Sequence, residues 1–64
     1  MRTYYCVSST IYGDGRTTAV IVDMVESEKP PRNSFKSTPQ KDIYTDWFGD
    51  LMLARKFVRE AKSA

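Results

Sequence analysis

The sequence predicts an α+β domain in which a three-stranded antiparallel sheet packs on one C-terminal helix. Three observations carry that expectation. Two arms rich in Tyr, Val, Ile and Thr flank "GDGR" (Gly13–Arg16), a third apolar run, "DIYTDWF" (Asp42–Phe48), follows a Pro-rich stretch, and "GDLMLARKFVREAKSA" then changes from period two to helical period. With 64 residues, a 41% hydrophobic fraction, three glycines and three prolines, the chain is read as one folded domain, 1–64.

The segment from Thr3 to Ser27 reads as a β-hairpin. Asp14-Gly15 suits a two-residue type I′ turn, whose central residues both need positive φ. That turn pairs Tyr12 with Thr17, Ile11 with Thr18, Val7 with Val22 and Tyr5 with Met24. Tyr5, Val7, Ile11, Val20, Val22 and Met24 then share one face, the face expected to pack on the helix. The opposite face carries Tyr4, Cys6, Ser8, Thr10, Tyr12, Thr17, Ala19, Ile21 and Asp23, a mixed surface suited to water.

From Glu28 to Lys41 the composition turns Pro-rich and basic, with Pro30, Pro31 and Pro39 among Lys29, Arg32, Lys36 and Lys41. This is expected to be a long loop, and loops of that length in small domains are functional or disordered. Phe35 either ties the loop to the body or stands exposed for a partner. In the third strand, Ile43, Thr45 and Trp47 compete with Tyr44, Asp46 and Phe48 for the helix side, and Phe48 is favoured beneath the helix start. Asp50 is placed to cap the helix N-terminus. Leu51, Ala54, Phe57, Val58 and Ala61 form the stripe to be buried.

Several chemistries find no residues to carry them. The chain has no histidine, so the commonest general base and the Ser-His-Asp and Cys-His arrangements are missing. Cys6 is alone and reads as structural. Asp42 and Asp46 lie about 13 Å apart at strand rise, too far to share one glycosidic bond or one magnesium ion. Gly13-Asp14-Gly15 lacks the helix and the Lys-Ser/Thr of a phosphate loop. The expectation is no enzyme, no catalytic or metal-ligating residue, no cofactor and no small-molecule substrate. The start of the chain has no signal-peptide core and no run is long enough to span a bilayer, so a cytoplasmic protein without a membrane role is expected.

Charge points to two contact surfaces. The net charge is +2. Residues 1–49 balance six cations against six anions, so the excess sits on the helix, where Arg55, Lys56, Arg59 and Lys62 outnumber Asp50 and Glu60. The first surface is the helix's outer side, where Arg55, Lys56 and Arg59 surround Met52 while Leu53 sits on the margin of the buried stripe, residues suited to a protein contact or to self-association. The second is the mixed sheet face beside the basic loop. Tyr4 and Tyr12 with Arg16, Lys29, Arg32 and Lys36 are the ingredients of nucleic-acid contact.

The strand–turn–helix rhythm of "IYTDWFGDLMLARKFVREA" resembles AP2-type and integrase N-terminal DNA-binding domains, which lay a three-stranded sheet in the major groove and brace it with one helix. That resemblance implies a DNA-binding sheet. No base-reading arginine carries over, because Ser, Thr and Asp stand where those sheets carry Arg and Trp. The same stretch is similar to small bacterial proteins ending in a strand, "DWF" and an amphipathic helix, a likeness that implies only the fold. The sequence thus favours a non-enzymatic protein-interaction module that pairs with a protein partner or as a homodimer, with DNA binding as the alternative.

Overall fold

A computed structural model describes residues 1–63. The order is β1 (Arg2–Tyr12), β2 (Thr17–Ser27), β3 (Ser34–Ser37), β4 (Lys41–Phe48) and α1 (Leu51–Ser63). The fold is α+β with an antiparallel sheet and a C-terminal helix, but the sheet has four strands rather than three, in the order β2-β1-β4-β3. The additional strand lies inside the segment read as a 28–41 loop. Phe35 pairs with Tyr44 across β3 and β4, their rings 4.7 Å apart, and that contact holds four otherwise polar-rich residues in the sheet. Thr38 and Lys41 then close a tight turn, with the Thr38 N–H donating to the Lys41 carbonyl at 2.8 Å. At the other end of the segment, Asn33 Oδ1 accepts from the Trp47 N–H at 2.8 Å and ties the β2–β3 connection to β4.

The first hairpin departs from the expected register in a way that reorganises its faces. Its loop is Gly13-Asp14-Gly15, one residue longer than expected. The Tyr12 N–H donates to the Arg16 carbonyl at 2.8 Å, and the Gly15 N–H to the Tyr12 carbonyl at 3.0 Å. Only Gly15 takes positive φ, at 93°; Asp14 does not, so the type I′ turn is not formed. Near the turn the pairing therefore shifts by one, with Ile11 opposite Thr17, Ser9 opposite Ala19 and Val7 opposite Ile21. Val22 is then an extra residue in β2, a bulge, beyond which Tyr5 faces Met24 as expected.

Because side chains alternate, that shift sends Ala19 and Ile21 to the helix and Val20 and Val22 away from it. Val20 and Val22 are each 56% exposed, which corrects the expected inner face, while Ile11 and Met24 keep the face of Tyr5 and Val7 as expected but are exposed rather than packed. The opposite face is corrected too: Tyr4 and Cys6 are buried rather than wet.

The core lies where Val7 and Ala19 meet Ala54, with Tyr5, Ile21, Phe48, Phe57, Val58 and Ala61 packed around them. Val7 and Ala54 are wholly shielded from solvent. Phe48 lies under the helix as expected, its ring 5.2 Å from that of Phe57. Asp50 caps the helix: its Oδ1 accepts from the Met52 N–H at 2.7 Å and its carbonyl from the Ala54 N–H at 3.1 Å. The helix lies over β2 and β1, touches β4 less and does not reach β3.

Gly15 carries the turn through its left-handed backbone and not through space, since a Cβ there would meet nothing within 4 Å. Gly15→Ala should therefore lower stability by about 1–2 kcal/mol, the cost of an L-residue in that region, and Gly15→Asn by less. Urea unfolding of the two variants measures both.

Candidate functional site

Successive helix residues turn by about 100°, which sorts α1 into faces. The stripe through Ala54, Phe57, Val58 and Ala61 faces the sheet. Arg55, Arg59 and Lys62 flank that stripe on the β2 side, and Lys56 points outward. Met52 lies beyond Arg55 and Arg59, whereas Leu53 falls on the other flank, the side of Phe57, whose ring packs on Phe48 of β4. Met52 is 68% exposed and Leu53 55%. The sequence-predicted protein-contact residues Met52, Leu53, Arg55, Lys56 and Arg59 are all exposed, but they divide between two flanks.

Each flank adjoins an apolar surface, one of them containing Phe35, which the sequence offers as exposed for a partner. Towards β4 and β3, the helix leaves the Phe35–Tyr44 ring pair in solvent. Towards the sheet edge, a groove of about 430 Å³ runs between β2 and α1, lined by Ala19, Val20, Ile21, Arg55, Val58 and Lys62. Arg59 completes its cationic rim. The signal for this groove was the triplet Gly13-Asp14-Gly15, since the three-residue loop is what turns Ala19 and Ile21 inward beside Val58.

The residues proposed for nucleic acid do not gather. Arg16 precedes β2 and Lys29 follows it, and the eleven-residue strand between them is about 36 Å long. Tyr4 is 6% exposed, with its ring within 3.9 Å of a Cβ built on Gly49, so it presents no free face for stacking. Tyr12 alone among them gathers cations, with Arg16 at 5.1 Å and Lys41 at 5.8 Å from its ring centre. Arg16 also donates to Asp14 Oδ2 at 2.7 Å, and its N–H to Asp14 Oδ1 at 3.0 Å. These hydrogen bonds hold the Asp14 carboxyl below its ordinary range, the backbone one contributing most. Arg32 is exposed in the β2–β3 connection and Lys36 on β3.

Cys6 is buried mid-strand, and burial first, then the Asp23 and Asp46 charges, push its thiol above the ordinary value of 9.0. The two aspartates do not form a site, since Asp23 is paired with Cys6 and Asp46 with Val7, which point to opposite faces. Among the described residues no three His, Cys, Asp or Glu side chains are grouped to hold a metal ion, and no helix is long and apolar enough to cross a membrane. No family model matches this chain, and neither a curated protein nor a solved structure matches it.

The Cys6 environment gives a direct test. A thiol raised in the fold stays protonated there above pH 9.0, where the unfolded chain has lost its proton. Its contribution to stability is therefore complete below 9.0 and is lost as pH climbs from there through the raised value of the fold. Alkylation by iodoacetamide at pH 8 should run roughly tenfold or more slower in the folded chain than in urea, as mass spectrometry of the timed reaction will show.

Proposed function

We propose that this chain is a small non-enzymatic module that binds protein, a second copy of itself included. The observation that supports this reading is the incomplete cover given by one helix. Large apolar side chains stand in solvent around it: Met52 and Leu53 on its two flanks, Phe35 and Tyr44 on the part of the sheet it leaves bare, and Val20 and Val22 on the far side of β2. Scattered apolar residues are normal on a protein surface, but grouped ones beside cations mark contact sites. Cys6 is buried and Asp23 and Asp46 lie on opposite faces of the sheet, so neither that thiol nor that carboxylate pair is placed to attack a substrate or share a proton. In sedimentation equilibrium the chain should associate as its concentration rises, and Met52→Glu or Leu53→Glu should return it to a folded monomer. Association unchanged by both substitutions would remove the helix flanks from this reading.

The cations around Tyr12 support DNA binding as the second reading, with the sheet and the basic segment 28–41 as the contact. It requires affinity for duplex DNA to fall steeply with salt and to drop on replacing Arg16, Lys29, Arg32 or Lys36. Fluorescence anisotropy at two salt concentrations measures this, and a flat response ends the reading.

A further inference from the structure

We propose that the groove between β2 and α1 takes an extended acidic segment of a protein partner, which adds to the sheet as a strand along Thr17–Ile21. The inference rests on the reading of the chain as a protein-binding module and names the chemistry of its partner.

Edge strands offer unpaired N–H and C=O groups at every second residue, and proteins guard them. The two edges of this sheet are guarded unequally. β3 is four residues long and carries Lys36. The C-terminal half of β2 has the Val22 bulge and then Asp23 and Glu26, with Glu28 just beyond. The N-terminal half, Thr17-Thr18-Ala19-Val20-Ile21, has no charge, no proline and no bulge, and its pairing to β1 is regular. An added strand therefore has five residues of straight ladder on which to pair.

The helix supplies what would select that strand. Arg55, Arg59 and Lys62 rim the groove with Val58 between them, and no acidic side chain lines it. In an extended segment alternate side chains point to opposite faces. Those on the helix side meet Val58 and the cations, so carboxylates suit them: their methylenes pack on the valine and their oxygens reach the basic rim. Those on the other side run beside Val20, where an apolar side chain covers a residue now 56% exposed. Main-chain pairing supplies affinity and the alternating side chains supply selectivity, the division of labour in β-strand addition. The same carboxylates are repelled by Asp23, Glu26 and Glu28, and the ladder is interrupted at Val22. The footprint should stop there.

The probe is an acetylated, amidated eight-residue peptide of alternating glutamate and valine, titrated into the ¹⁵N-labelled chain at low salt. Amide shifts should appear on Thr17–Ile21 and on Arg55, Val58 and Lys62, and fade past Val22. A peptide with lysine for glutamate, and the chain with Arg55→Glu and Lys62→Glu, should each bind at least about tenfold more weakly. Both residues are exposed, so the variant's melting temperature should stay near that of the parent. The peptide swap tests the charge rule independently if it does not. Shifts on β3 or on Met24–Ser27, equal binding of the lysine peptide, or no shifts at millimolar peptide overturn the proposal. Shifts on Thr17–Ile21 that appear on concentrating the chain alone also overturn it, because the occupant is then a second copy. If the peptide fails while Met52→Glu or Leu53→Glu still abolishes association, the groove proposal falls and the protein-binding reading stands.

Discussion

A helix of thirteen residues is about 20 Å long and about 10 Å wide with its side chains, while neighbouring strands lie about 4.8 Å apart. Such a helix can shield two strands of a sheet and not four. Here it settles over β1 and β2, where Val7 and Ala19 are small enough beside Ala54 to let the backbones approach. The consequences run through the molecule. Val7 and Ser9 of β1 are shielded because the strand has neighbours on both sides and the helix above that face, whereas Phe35 and Tyr44 must pack on each other in solvent. The surfaces available for binding are those the helix is too narrow to reach.

The second constraint is the phase of β2. A three-residue loop and a bulge change which face each half of the strand presents, and together they leave the two ends of the hairpin in different registers. The inner face near the turn is built from Ala19 and Ile21 instead of two valines. That makes the seam under Ala54 tight and leaves Val20 and Val22 outside. A bulge also bends its strand and increases its twist, which discourages edge pairing where it occurs. The structure thus divides one edge into a guarded half and an open half, and the cationic side of the helix lies along the open one.

Helical features were legible in the sequence because they are local. The stripe through Ala54, Phe57, Val58 and Ala61 and the Asp50 cap follow from spacing and are found, whereas Leu51, expected in the same stripe, is half-buried outside the core. Phe48, favoured between two parities of its strand, does lie under the helix. The phase of β2 was not legible, because Gly13-Asp14-Gly15 contains two solutions. Asp14-Gly15 can form a two-residue turn with positive φ at both positions, or all three residues can form a loop with positive φ at Gly15 only. Keeping Asp14 out of the left-handed region favours the second. β3 was hidden for a different reason: Ser34, Lys36 and Ser37 have no strand pattern, and their pairing depends on Phe35 finding Tyr44. The groove beside Val58 is not legible in the sequence, because a two-residue turn would place Ala19 and Ile21 on the outer face.

Cross-strand Hα–Hα and side-chain nuclear Overhauser effects on the intact chain read the pairing of β2 residue by residue, and the groove and the exposed valines depend on the switch in register at Val22. The account predicts Val7 opposite Ile21 and Ser9 opposite Ala19, Tyr5 opposite Met24 beyond the bulge, and contacts from Ala54 to both Val7 and Ala19. Val7 found opposite Val22, with Val20 and Val22 in contact with the helix, would contradict it. The groove and the exposed valine pair would then both be lost.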